Sequence, residues 1–423
     1  MRMENQVDGA VVDAGSNLLV RRVLDDQWGR PLDTAIHVDD EMLLHGYELY
    51  GGSRDQALTR YFLSGLNVIS ALNQVASWRW GSLADAGRIL DFASGFGRVT
   101  RFLVELTGRE RVTVSDLYPK AMEFQRDRFG VEAIASTTRP EALPINGPFD
   151  LINVTSLFTH LPGPRFEAWL RRLLDLLSTG GVLCFTVHDV ALLEGRVNVP
   201  SEGILFSRDS ESRSLDPDEY GSTWVTEKYV RSVLQRVAPQ VSLTRLPRAI
   251  GDYQDLYVAV NEPDVSFERF DFDAGCTGFL HTFEVQDDGR CHTFGWVASR
   301  TGTHPPARVE ISINGTLAAA VDQFYPRDDV AALLSIPSTR NSGWGCTIDR
   351  PAPRSNSFDI CTIKVISDSG VETMLNVDTI AGLALSNANS ELGVLRSQEQ
   401  QPAAEGGSLV SRLRRRLARL LAQ

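Results

Sequence analysis

The chain has 423 residues, 43% of them hydrophobic and 23% charged, which is enough apolar material for roughly two or three globular domains. Its formal charge of −12 argues against a general nucleic-acid binder, which carries a basic face. No apolar run is long enough to span a bilayer, and the first residues lack a signal peptide's apolar stretch. Cys184, Cys276, Cys291, Cys346 and Cys361 form no CxxC pair. They read as reduced thiols of a cytoplasmic protein, with neither a disulfide frame nor a zinc site.

Residues 1–85 are expected to form an N-terminal extension ending in helices, because their apolar residues recur at helical spacing. Residues 39–44 resemble a capped helix start, and residues 58–69 continue the helical character. Residues 86–262 alternate strand-like and helix-like stretches, which predicts an α/β domain with a mostly parallel sheet and right-handed crossovers. An apolar strand ends on Asp91, turns through Ala93, Ser94, Gly95 and Gly97, and enters a helical pattern over residues 99–106. Glycine lets the backbone turn sharply and approach a ligand, and the following helix offers unpaired N–H groups there. A dinucleotide fingerprint wants a third glycine where Thr100 stands, and it sets the Asp91 carboxylate against a diphosphate. A ligand bearing an ammonium and a sulfonium favours that carboxylate. S-adenosylmethionine is such a ligand.

The run Asp91, Phe92, Ala93, Ser94, Gly95, Phe96, Gly97 resembles the first motif of the class I S-adenosylmethionine-dependent methyltransferases. Further matches follow in order. Residues 112–116 read as a second strand ending in Asp116, which stands 19 residues after Gly97. That is near the usual spacing for a carboxylate that bonds ribose hydroxyls. Residues 149–155 read as the fourth strand, 166–177 as a helix stopped by Gly180 and Gly181, 182–187 as the fifth strand, and 253–260 as the last, antiparallel strand. The likeness covers roughly residues 40–262. It implies a Rossmann-like seven-stranded sheet, S-adenosyl-L-methionine as cofactor, and a binding set of Asp91, Ala93, Ser94, Gly95, Gly97, Asp116, Leu117, Asn153 and Tyr61. Gly65 joins Tyr61 at the cofactor's amino-acid end, although a tyrosine at helical spacing is more often core. The family's acid after the third strand, which contacts the adenine amine, is missing. Ser136 or Thr137 makes a neutral hydrogen bond there instead.

The 191–220 insert is rich in Ser, Asp, Glu and Gly and reads as a loop or lid. After Pro263, short alternating segments at 292–298, 307–313, 317–322, 344–348, 358–365 and 371–377 predict an antiparallel β-sandwich over residues 265–385. It resembles β-domains attached to bacterial surface-polysaccharide enzymes. Trp296 and Trp344 either stack on sugars or fill the sandwich core. Residues 386–407 read as a flexible linker and 408–423 as a basic amphipathic helix with five arginines and no acid. That helix suits an anionic membrane surface at the inner face, an acidic protein partner, or docking within the chain.

Catalytic candidates stand at the carboxyl ends of strands, where open α/β sheets bind ligands. His160 follows the fourth strand, and His188 and Asp189 follow the fifth. Either imidazole is able to accept a hydroxyl proton near neutral pH, although His160 also suits a turn role before Pro162. Asp189 either orients His188 or caps the segment after it. No cluster of ligands supports a metal. The expected function is methyl transfer to an oxygen acceptor, a sugar hydroxyl of a glycan or its precursor. Two alternatives stand beside it: a small-metabolite methyltransferase, and a non-catalytic scaffold recruiting polysaccharide-biosynthesis partners.

Overall fold

A computed structural model describes residues 11–210, 212, 215–349 and 359–383. Two compact units emerge, one from the described parts of Met1–Ser16 and Arg30–Phe272, the other from Asn17–Gly29 and the described parts of Asp273–Gln423. The expected linker at 386–407 and basic helix at 408–423 lie outside the described residues.

The chain opens with β1 (Val11–Asp13), passes through α1 (Leu18–Gln27), which belongs to the second unit, and returns as β2 (Ala35–His37), antiparallel to β1. Helix α2 (Glu41–Leu49) begins at Asp40, whose carboxylate accepts from the Met42 and Leu43 amides. Helix α3 (Arg54–Trp80) runs well past residues 58–69, because apolar residues stay buried along it from Ala57 to Ala76.

The α/β layer follows as β3 (Ile89–Phe92), α4 (Thr100–Thr107), β4 (Val112–Asp116), α5 (Pro119–Phe129), β5 (Glu132–Ala135), β6 (Phe149–Val154), α6 (Gly163–Leu174) and β7 (Leu177–Asp189). It ends with β8 (Ile204–Ser207), β9 (Ser222–Val225), α7 (Glu227–Val237), β10 (Ser242–Ile250) and β11 (Gln254–Val260). The sheet order is β10-β11-β7-β6-β3-β4-β5. Strands β3 to β7 are mutually parallel, while β11 and β10 reverse direction. Strands β8 and β9 extend this mixed sheet along the end of β7, making nine strands where seven are expected. Part of the 191–220 insert is therefore strand, not loop. Residues 177–181 also differ from expectation: α6 stops at Leu174, and the Gly180 amide bonds to Asn261, so this stretch is the start of β7.

Strand register divides the sheet into two faces. Leu90, Phe92, Ile152, Val154, Leu183, Phe185 and Tyr257 pack on Trp169 and Leu170 of α6 and Val230 and Val233 of α7. Asp91, Asn153 and Cys184 are register partners on the opposite face, which Thr186 and His188 continue by alternation. Polar groups thus gather on one side of the strand ends, while the apolar face anchors the layer.

In the second unit, β12 (Cys276–Val285), β13 (Arg290–Ser299), β14 (Pro306–Ile313), β15 (Thr316–Val321), β16 (Tyr325–Pro326), α8 (Asp328–Leu334), β17 (Asn341–Asp349), β18 (Ile360–Ser367) and β19 (Glu372–Thr379) form two antiparallel sheets, ordered β12-β13-β17-β16 and β15-β14-β18-β19. Phe283, Val297 and Trp344 of one sheet meet Val309, Ile311 and Ile363 of the other in a shared core. Trp344 is fully buried, which settles it as packing. Strand β12 and helix α8 escape the sequence pattern: β12 carries a bulge that breaks its alternation, and α8 is short. Helix α1 completes this unit, lying against β19 with Leu19, Val20, Val23 and Leu24 buried.

Candidate active site

The turn between β3 and α4 is built from left-handed residues, with φ of 57° at Ala93, 55° at Gly95 and 84° at Gly97. At Gly97 the need is double, since a Cβ there would also run into the Phe129 ring and Gln125. At Gly95 a Cβ would meet nothing within 4 Å, so the turn's open side lies there. Three of its amides are already bound: Ser94 N–H donates to the Ser115 carbonyl at 3.2 Å, Gly97 N–H to the Ser94 carbonyl at 3.0 Å, and Gly95 N–H to Asp116 Oδ2 at 2.8 Å. Gln125, buried on α5, braces the turn by donating to Ser94 Oγ at 2.8 Å and the Gly95 carbonyl at 2.7 Å. Its role has no sequence signal, because only folding brings it across.

Asp91 and Asp116 sit at the ends of β3 and β4. Asp91 is 2% exposed, and its carboxylate accepts from Thr100 Oγ1 and from Asn153 Nδ2, both at 2.8 Å. Thr100, standing where a dinucleotide turn has glycine, is therefore a fixed partner of the acid. Asn153 is part of the same lock, its carbonyl oxygen accepting from Thr155 at 3.1 Å. Burial pushes the Asp91 carboxyl up to about 6 despite the two donors. Asp116 receives the amides of Tyr118, Gly95 and Leu117, and burial raises its pKa as well. Ser136 lies beside it, its amide donating to the Asp116 carbonyl at 2.8 Å. The Thr137 hydroxyl turns away, donating to the Arg139 carbonyl at 2.7 Å.

The N-terminal segment supports this turn. Tyr61 is buried on α3 and donates to Asp40 Oδ2 at 2.7 Å, so its hydroxyl braces α2 against α3. Arg101, 1% exposed, donates to the carbonyls of Gly97, Asp33 and Ala35, tying α4 and the turn to β2. His37 stacks on Phe96 of the turn with ring centroids 4.5 Å apart. Gly65 allows close helix packing: a Cβ there would stand 2.7 Å from the Phe102 ring and 2.8 Å from the Arg98 carbonyl.

At the ends of β6, β7 and β11 a second group gathers. His188 pairs in register with Trp224 of β9, and its ring lies 6.1 Å from the Trp224 ring and 6.2 Å from that of Tyr253. Ser156 adopts φ 67°, held by its amide donating to Thr186 Oγ1 at 2.7 Å and by a hydroxyl–amide contact with Gln254. His160 stands apart from the strand-end cluster. It is 5% exposed, its Nδ1 donates to the Gly221 carbonyl at 2.7 Å, and its ring stacks on Tyr220 at 4.5 Å. That carbonyl accepts only, so Nδ1 holds the proton, and the bond ties the ring to the β9 approach. Asp189 accepts the Ala191 amide at 2.7 Å, the cap that the sequence offers for it, and pairs with Arg245 at 2.8 Å. Arg245 bridges it to Asp255 at 2.7 Å, a clasp that sequence distance conceals.

Residues 89–181 match a family described as a methyltransferase domain. This segment holds β3, the turn, Asp116 and most of the parallel strands, and it is a methyltransferase domain. No curated protein matches the chain. Among solved structures, similarity extends to the plantazolicin methyltransferase BamL in complex with a triazolic desmethylPZN analog and SAH, at 15% identity, covering 53% of this chain and 97% of that one with a TM-score of 0.36. It extends also to the Burkholderia thailandensis 1,6-didemethyltoxoflavin-N1-methyltransferase, at 17% identity, 53% and 88% coverage and a TM-score of 0.35. The DhpI-SAM-HEP complex aligns at 18% identity over 52% of this chain and 97% of that one, with a TM-score of 0.35.

Proposed function

We propose that the protein uses S-adenosylmethionine to methylate an oxygen acceptor, a sugar hydroxyl of a glycan or its precursor. The bond from Gly95 N–H to Asp116 carries the cofactor half of this reading. An amide that a diphosphate would need is already given to a carboxylate, and Asp91 adds a second acid nearby. Such a site disfavours phosphate and favours a cationic ligand. The residues present fit the group. Gly95 leaves an open side, and each Asp116 oxygen retains acceptor capacity for a ribose hydroxyl. Ala93, Ser94, Gly97, Leu117 and Ser136 border the same strand ends, while Asn153 and Tyr61 act by bracing them and Thr137 holds the segment after β5 through Arg139. When bound, S-adenosylmethionine supplies a methyl group already activated on sulfur.

His188 would take the acceptor's proton, since a neutral hydroxyl is a weak nucleophile and a neutral imidazole nitrogen is able to accept that proton. Tyr253, 39% exposed beside it, offers a ring face against which a sugar is able to stack. Alignment of acceptor and methyl group then supplies much of the rate. In this reading residues 86–262 bind the cofactor, the preceding helices cover it, and residues 265–385 serve the glycan. The test is His188→Ala: methyl incorporation into oligosaccharides should fall about 10²- to 10⁴-fold with cofactor affinity unchanged by calorimetry. Full turnover in that variant removes His188, and an absence of heat with S-adenosylmethionine removes the cofactor.

A further inference from the structure

We infer that the β-unit carries its own saccharide-binding groove, on the outer side of the β13–β17 pair. A cavity of about 880 Å³ opens there, lined by Phe294, Phe324, Tyr325, Asp322, Gln323 and His292 among others. Its floor is shaped by glycine. On β17, Gly343 and Gly345 occupy successive outward positions, and Gly345 faces Phe294 in register. A Cβ at Gly343 would run into three atoms of the Tyr325 ring at once, so that ring lies face-down on the strand. A Cβ at Gly345 would stand 3.0 Å from Phe294 Cβ. The Tyr325 hydroxyl donates to the Trp344 carbonyl at 3.4 Å, which pins the ring flat, and the residue is still 44% exposed.

A flat aromatic face, fixed before binding and open on its far side, suits the apolar C–H face of a pyranose ring. The rim supplies the complementary chemistry. Asp322 and Gln323 are exposed planar groups able to bond neighbouring hydroxyls, and His292 adds a ring nitrogen. Among the described lining residues there is no Arg or Lys, which disfavours phosphate, nucleotide and other anionic ligands. Neutral, polyhydroxylated and ring-shaped is the ligand class that remains. The groove's fit to a sugar ring is independent of the proposed methyl transfer.

The test is calorimetric titration of the full chain with cellotetraose, maltotetraose and mannotetraose. At least one should bind, and Phe294→Ala and Tyr325→Ala should each weaken that binding about three- to tenfold. Tyr325→Phe keeps the ring but loses the hydroxyl that pins it, and should weaken binding less than Tyr325→Ala, while Leu317→Ala on exposed β15 should leave it unchanged. Thermal melts report whether each variant folds, and Asp322→Ala, altered only at the exposed rim, should weaken binding should the ring variants fail to fold. Three silent titrations, or binding indifferent to these groove substitutions, would overturn the inference. So would binding lost in His188→Ala but intact in Tyr325→Ala, which places the sugar at the strand ends instead. The methyl-transfer reading fails separately, on cofactor heat and turnover.

Discussion

Asp91 and Asp116 divide the labour of the turn between them. Asp91 is locked by Thr100 and Asn153 and buried to a pKa of about 6, above the ordinary carboxyl value of 3.8. The folded state therefore holds this proton to higher pH than the unfolded chain does. Its contribution to stability is fully present below about pH 4 and is lost as pH rises through about 6. Asp91→Asn should flatten that fall in urea denaturation profiled from pH 4 to 7. In the proposed reading ligand binding runs the opposite way, because the ionised acid would hold the cofactor's cation. Affinity for S-adenosylmethionine should weaken from pH 7 to pH 5, and more than affinity for the uncharged thioether S-adenosylhomocysteine, by calorimetry at each pH. Asp116→Ala removes the acceptor of the Gly95 and Tyr118 amides, and cofactor affinity should drop about 5- to 150-fold, from a lost interaction of roughly 1–3 kcal/mol. Both acids were legible in the sequence, since each closes an apolar strand. Their partners were not: Asn153 and Gln125 stand 62 and 30 residues from the groups they hold.

A buried bond from Tyr61 to Asp40 ties α3 to the start of α2, and the acid also caps α2. Burial raises the Asp40 pKa, with Tyr61 the strongest opposing influence. Tyr61→Phe leaves that carboxylate oxygen without its donor and should destabilise the first unit by about 1–3 kcal/mol, read from urea melts at pH 7. The cap was visible as an acid before an apolar helical run. The bond was not, and a tyrosine at helical spacing suited both a core and a cofactor reading. Trp78 near the end of α3 is stacked on by Phe267 and Phe270, at 5.2 and 4.9 Å, so the stretch after β11 is held to the same helix. Composition marks residues after Pro263 as a change of pattern, but ring stacking decides where they lie.

Across the whole molecule, the chain enters the β-unit twice, once as α1 and once after residue 272. Helix α1 buries Leu19, Val20, Val23 and Leu24, and Asp26 and Gln27 contact Thr362 and Glu372. Replacing residues 17–29 by a Gly/Ser linker should lower the melting temperature of the β-unit in calorimetry, since sheet surface then faces water. Among the described residues no helix is long and apolar enough to cross a membrane. The order of strands and helices in the α/β layer, the glycine turn and the two strand-end acids were written in local patterns of period two, period 3.6 and turn chemistry, which any window of the chain displays. Membership of α1 in the β-unit, the extension of the sheet by β8 and β9, the bonds of His160 to the Gly221 carbonyl and of Asp189 to Arg245, and the aromatic groove over Gly343 and Gly345 were decided by tertiary structure. Each depends on which distant groups meet, and a carboxylate or imidazole has the same local sequence signature whether it meets a ligand, a backbone carbonyl or an arginine.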